Sequence, residues 1–234
     1  MHLLLPAAGV GRRMGGPRNK LLMPLCNRPI LAWTLEAAMK AKRIQWIGII
    51  AQPIDLPDFE AIASQLKEGL QKPVAFIQGG DTRQESVYNG LQALPAAASH
   101  VLIHDGARCL ATPALFDRCA ESVLCTKGFI AAVPVTDTIK EVNEQRVIVN
   151  TPARDYLWAA QTPQGFEVAL LKQCHHQGQQ QSWQVTDDAA LLERCGIPVS
   201  IVEGEETNLK VTTPVDLAIA QFILQQRSES GVCG

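Results

Sequence analysis

His2-Leu3-Leu4-Leu5-Pro6-Ala7-Ala8-Gly9-Val10-Gly11-Arg12-Arg13-Met14-Gly15-Gly16-Pro17-Arg18-Asn19-Lys20 is the stretch on which the fold turns. Its apolar opening, Leu3–Pro6, reads as a short buried strand. The strand runs into small residues at 7, 8, 9 and 11. Such residues let backbone N–H groups approach a ligand and hold phosphate oxygens as a nest. Arg12, Arg13, Arg18 and Lys20 then supply four positive charges with no carboxylate between them. Ligands of open α/β sheets sit beyond the carboxyl ends of the strands, so this loop has the address of a polyanion site.

Two familiar phosphate loops are excluded by single residues. A dinucleotide fingerprint needs Gly or Ala where Met14 stands, which disfavours a dehydrogenase. A P-loop needs Gly-Lys-Ser/Thr, and Gly16 is followed by Pro17.

Outward from the loop, short apolar runs alternate with longer amphipathic ones. Strands are predicted at 46–51, 74–77, 100–104, 129–133 and 199–202, and helices at 30–41, 56–70, 83–94, 113–125, 168–176, 187–195 and 214–226. Strands separated by helix-length segments imply right-handed crossovers and an α/β fold with a doubly wound, mostly parallel sheet. Thr82-Arg83-Gln84-Glu85 has the form of a capping box. In the last helix Val215, Ala218, Ile219, Phe222 and Ile223 share one face, with Thr213 before Pro214 as its start.

One segment breaks the alternation. Residues 136–142 and 146–151 read as two extended stretches around Asn143-Glu144-Gln145, a hairpin arm projecting from the core. The residues alone leave open whether it packs on a second copy or is an ordinary surface hairpin. The expected organisation is one domain over 1–226, carrying the arm at 136–151, with a disordered tail at 227–234.

The chain has 234 residues, 47% of them hydrophobic, enough for a substantial core. A net charge of −2 excludes a general nucleic-acid binder, so any anion site is local. No run approaches a membrane span and no signal or transit peptide is visible. The seven cysteines form no C-x-x-C pair and read as reduced thiols. The expectation is a cytoplasmic protein that engages neither nucleic acid nor membrane.

Four later segments join the first loop: Gln78-Gly79-Gly80-Asp81-Thr82-Arg83-Gln84-Glu85-Ser86-Val87; His104-Asp105-Gly106-Ala107-Arg108; Trp158-Ala159-Ala160-Gln161-Thr162-Pro163-Gln164; and Thr186-Asp187-Asp188-Ala189 with Asn208-Leu209-Lys210-Val211-Thr212. In order and spacing they resemble the methylerythritol phosphate cytidylyltransferase family from Leu3 to about Phe222. The departures are Gly106, where the family usually has alanine, and Cys109, where it usually has proline.

The resemblance implies a nucleotidyltransferase fold, CTP and a small polyol phosphate as substrates, Mg²⁺ and a homodimer that exchanges the arm. It implies that Arg13 and Lys20 neutralise the triphosphate. Ala7, Ala8, Gly9 and Gly11 line the nucleotide, Gly79, Gly80, Asp81 and Ser86 meet the cytosine and its surroundings, and Asp105, with Gly106 beside it, lies near ribose and metal. Arg108, Thr138, Arg154, Thr162 and Lys210 surround the acceptor, with Arg154 and Lys210 also placed in catalysis. Ribitol 5-phosphate is the rival acceptor, and a non-catalytic nucleotide-binding regulator is the rival class.

Read as residues only, several of these have plainer roles. Lys210 before the last helix also fits a solvated surface lysine. Arg154 also fits a surface pair with Asp155 or Glu141. Asp187 and Asp188 read as helix-start residues and His175-His176 as structural. The chemistry needs no general base, because a phosphate monoester is already an anion at neutral pH. Bringing one anion onto another is the difficulty, so positioning and charge neutralisation carry the catalysis.

Overall fold

The Leu3-Leu4-Leu5 run becomes the centre of the sheet because it has apolar partners on both faces. In the computed structural model, which describes residues 1–9, 18–66 and 72–229, strand β1 (His2–Pro6) is flanked in parallel by β4 (Trp46–Ala51) and β6 (His100–Ile103). Leu3 and Leu5 enter one core and Leu4 the other, all three with no exposure. That alternation is the two-residue period of a strand, and burial on both faces explains why the run reads as continuously apolar.

The seven-stranded sheet has the order β11-β7-β10-β6-β1-β4-β5, completed by β5 (Val74–Gln78), β7 (Gly128–Pro134), β10 (Trp158–Glu167) and β11 (Ser200–Glu203). The chain steps outward from β1 to β4 and β5, then returns to the other side of β1 as β6. The carboxyl ends of β1 and β6 therefore flank a topological switch point, where such sheets open a crevice.

Helices α1 (Ile30–Lys40), α2 (Leu56–Leu66), α4 (Pro113–Ser122) and α7 (Pro214–Glu229) cover one face through Leu35, Phe59, Phe116 and Leu224. Helices α3 (Arg83–Gln92), α5 (Val168–Gln180) and α6 (Ala189–Arg194) cover the other through Leu91, Leu171 and Leu191. A small ribbon, β2 (Pro24–Leu25) with β3 (Arg28–Pro29), leads into α1.

Two expectations are corrected, for β10 and for the tail, and the orientation of the last helix is decided. The sequence predicts no strand at β10, yet this ten-residue element lies inside the sheet, antiparallel to both β6 and β7. Its polar residues and Pro163 disguise it. The register shifts between Ala160 and Gln164, which accommodates a proline with no N–H to give. Gln164 is satisfied internally: its amide donates to Asp187 at 2.8 Å and its carbonyl accepts from Ala189 N at 3.2 Å.

On α7, Val215, Ile219 and Phe222 point outward, 68%, 45% and 62% exposed, while Ala220 and Leu224 are buried. The helix carries two apolar stripes, and periodicity does not say which one meets a core. Its last turn also reaches into the predicted tail. Arg227 donates to Leu110 O at 2.9 Å and to Thr207 Oγ1 at 3.0 Å, and the helix continues to Glu229. Residues 230–234 lie outside the described residues.

The hairpin is present but its ladder is short: β8 (Glu141–Val142) pairs antiparallel with β9 (Ile148–Asn150). Asn143 closes the turn, its side chain accepting from Val147 N at 2.9 Å. The two strands form a sheet of their own, and Val142, Val147, Ile148 and Val149 are all at least half exposed.

Candidate active site

At the switch point lies a cavity of about 380 Å³. Ala7, Ala8, Gly9, Lys20, Gly80, Asp81, Ser86, Asp105, Gly106 and Lys210 line it, brought together from five separate parts of the sequence. Gln52, Arg83 and Thr212 line it too, beyond the residues expected there from the sequence. Arg83 sat in view within the capping-box motif. Thr212 closes the Asn208–Thr212 segment, and Gln52 carries no sequence signal. Gly11 and Arg13 fall within 10–17, outside the described residues.

Each wall has a local cause. Buried Asn19 donates to Ala7 O at 2.7 Å and to Asp55 Oδ2 at 2.8 Å, and accepts from Leu21 N at 3.0 Å. It thereby ties the end of β1 to the turn carrying Lys20, whose ammonium reaches Val211 O at 2.7 Å. The β5–α3 wall is fixed by the predicted capping box: Thr82 Oγ1 accepts from Glu85 N and Glu85 Oε2 from Thr82 N, each at 3.1 Å. Ser86 is committed to this wall, since its hydroxyl accepts from Gly80 N at 3.0 Å. Gly79 is required by close approach, because a Cβ there would stand 2.8 Å from the Cβ of Ala8.

Asp105 is the electrostatic centre. Its Oδ2 lies 2.7 Å from Lys210 Nζ and its Oδ1 lies 3.7 Å from Arg83 Nε. Burial works to raise its pKa, but Lys210 and Arg83 prevail and pull it down to about 2. Lys210 is thus engaged with a buried carboxylate, unlike a free surface lysine.

Beside the cavity, Arg108 donates to Asn208 O at 2.6 Å and to Ala160 O at 3.3 Å. Thr162 is buried and bonds Asp105 N at 3.0 Å and His104 at 3.1 Å. Thr138 and Arg154 are not brought to the cavity within this chain. Both are exposed on the arm and its return, and Arg154 donates to Thr136 O at 2.8 Å. Gly106 O accepts from Thr34 Oγ1 at 2.8 Å, and the tightest contact of an added Cβ would be the flexible end of Leu21, at 3.0 Å. Cys109 is buried, and burial pushes its thiol up to about 12, so it packs as a small apolar group.

Among the described residues no group of three or more His, Cys, Asp or Glu side chains is placed to hold a metal ion. Both oxygens of Asp105 already face cations, so this carboxylate does not fit a direct metal ligand in this arrangement.

A model of the family described as 2-C-methyl-D-erythritol 4-phosphate cytidylyltransferase matches residues 1–226. The chain belongs to this family. Its member from Nostoc punctiforme is 68% identical over 227 residues, 97% of this chain and 99% of its own length. Its member from Synechocystis is 63% identical over 228 residues, 97% of this chain and 98% of its own. The crystal structure of 4-diphosphocytidyl-2C-methyl-D-erythritol synthase from Anaerococcus prevotii superposes with a TM-score of 0.84 at 30% identity, covering 96% of this chain and 97% of that one. The family enzyme from Thermus thermophilus superposes with a TM-score of 0.75 at 31% identity, covering 95% and 98%. The family's fold is the mostly parallel α/β sheet described above.

Proposed function

We propose that the chain transfers CMP from CTP to 2-C-methyl-D-erythritol 4-phosphate, a step of non-mevalonate isoprenoid synthesis. The products are 4-diphosphocytidyl-2-C-methyl-D-erythritol and pyrophosphate. The observation that carries this reading, together with family membership, is the cavity at the switch point, where Lys20, Arg83 and Lys210 converge on a site of about 380 Å³. That volume falls in the range of small-molecule sites.

A phosphate oxygen of the acceptor attacks the α-phosphorus, and the bond to the pyrophosphate oxygen breaks. Lys20, with Arg13 seven residues before it in the sequence, neutralises the triphosphate and the departing pyrophosphate. Lys210 and Arg154 position the acceptor phosphate, with Arg108, Thr138 and Thr162 around it. Ala7, Ala8, Gly9 and Gly11 line the nucleotide; Gly79, Gly80, Asp81 and Ser86 shape the base end; Asp105 and Gly106 lie by the ribose. With fixed cations, little reorganisation is needed as charge shifts toward the leaving group.

Mg²⁺ would enter on the triphosphate, keeping several waters and few protein ligands, and would add positive charge there. The exposed aliphatic residues of the arm support a homodimer in which the arm carries Thr138 and Arg154 to the partner's cavity. The six described cysteines are free thiols, which supports the cytoplasm. Among the described residues no helix is long and apolar enough to cross a membrane.

The test is pyrophosphate release from CTP with methylerythritol phosphate and ribitol 5-phosphate run side by side. Release with the first acceptor is expected. Turnover with ribitol 5-phosphate alone would replace the acceptor, and no release with either would leave a nucleotide-binding regulator.

A further inference from the structure

We infer that Asp188 and Arg83 are positioning residues for nucleotidyl transfer, forming a relay that fixes the Asp105–Lys210 pair from the cavity wall and from behind it. The inference rests on the function proposed above. The four groups alternate in charge and come from four separate parts of the chain. Asp188 at the start of α6 is 1% exposed, and its Oδ2 accepts from Arg83 Nη2 at 2.7 Å. Arg83 is the first residue of α3, and its Nε faces Asp105 Oδ1 at 3.7 Å. Lys210 closes on the other oxygen of Asp105 at 2.7 Å.

A helix-start role does not account for Asp188. The capping position at α6 is served by its neighbour: Asp187 Oδ1 accepts from Ala190 N at 3.1 Å, while Asp188 makes no side-chain cap bond. A buried carboxylate is retained where it is paired, and its partner here is a cation that lines the site.

The relay also decides what Arg83 does. Its charge is offset by Asp188 on one side and Asp105 on the other, so it is tied back from the triphosphate and acts on Asp105. The planar fork is essential to this: one guanidinium reaches two carboxylates with two different nitrogens, which a lysine ammonium does not reproduce with the same geometry. Asp188 is thereby a residue behind the wall that sets how far Asp105, and with it Lys210, sits from the reacting phosphates. A displacement of about 1 Å at such a pair is enough to cost on the order of 100-fold.

The test compares Asp188→Asn, Arg83→Lys and the double variant Arg83→Met/Asp188→Leu with wild type, measuring kcat, the KM for CTP and the melting temperature. Asp188→Asn is expected to lower kcat on the order of 10–100-fold without raising the KM for CTP, because it leaves Arg83 more cationic toward the triphosphate. Arg83→Lys is expected to lose kcat although the charge is kept. The double variant removes both charges together and is expected to melt closer to wild type than Asp188→Asn does, yet to remain slow. Wild-type kcat in Asp188→Asn or Arg83→Lys, assayed well below melting, overturns the relay and leaves the proposed function standing. Recovery of kcat along with stability in the double variant also overturns it. A wild-type protein that releases no pyrophosphate overturns the function and the relay's catalytic role together.

Discussion

Replacing Thr162 with valine keeps the shape of the side chain and removes one hydroxyl, and the geometry says what that hydroxyl does. Thr162 Oγ1 accepts from Asp105 N at 3.0 Å and lies 3.1 Å from His104 Nδ1. The other ring nitrogen, Nε2, lies 3.3 Å from Arg108 O, which only accepts, so Nε2 carries a hydrogen. Burial holds the imidazole at a pKa of about 4, so it is neutral at pH 7 and Nδ1 is bare. The Thr162 hydroxyl therefore donates to Nδ1, and both of its bonding functions are used inside the protein. In Thr162→Val the buried Asp105 N–H and His104 Nδ1 each lose a partner, at about 1–3 kcal/mol apiece. The sum is about 2–6 kcal/mol, and at about 2–4 °C per kcal/mol for a chain of this size the melting temperature should fall by at least about 4 °C. Thr162→Ser keeps the hydroxyl and loses one methyl group, on the order of 1 kcal/mol. Thermal unfolding followed by circular dichroism measures both variants, and ¹⁵N spectra of the imidazole report the tautomer directly. A Thr162→Val protein melting within about 1 °C of wild type, or a ring protonated at Nδ1, would refute the reasoning.

Lys210→Ala should reduce pyrophosphate release on the order of 10²–10³-fold, as expected for loss of a charge-stabilising group; unchanged turnover removes Lys210 from the mechanism. The depressed pKa of Asp105, about 2 against an ordinary 3.8, contributes about 2–2.5 kcal/mol of stability that is present above pH 4 and lost as pH falls toward 2. Urea unfolding between pH 5 and pH 2.5 should show that loss, and a smaller loss in Lys210→Ala, whose Asp105 titrates closer to the ordinary range. Ile148→Asp on the exposed arm should convert a dimer to a monomer in analytical ultracentrifugation and abolish turnover; a wild-type monomer that turns over normally would refute the shared site. Chelation of divalent ions should stop turnover and leave the melting temperature unchanged, because among the described residues no side-chain cluster is placed to cage an ion; a chelator-induced fall in melting temperature would point to a structural metal.

Local pattern was enough for much of this protein. Leu3-Leu4-Leu5 announces a strand buried on both faces, Thr82 and Glu85 announce a helix start, and the small residues and cations after Pro6 announce an anion loop. Each signal depends only on neighbours within a few residues, and the strand and the helix start appear where they were expected. What failed was whatever depends on distant partners. Strand β10 hides because Gln161, Thr162 and Gln164 become buried only through bonds to Glu205, His104 and Asp187, each more than 20 residues away. Which face of α7 turns outward was not legible because two apolar stripes are equivalent until the sheet chooses one.

The opening loop shows the same division. By itself the sequence determined the fold class, because strand period is a local property, and its glycines, lysines and arginines after the first strand pointed to an anion site there. Only the tertiary structure decided that Lys210, 105 residues after Asp105 in the chain, closes on that carboxylate, that Arg83 is held by Asp188 rather than free for phosphate, and that Thr162 spends its hydroxyl on His104. Those pairings are matters of distance and burial, and a charge acquires a role only once its partner and its exposure to water are fixed.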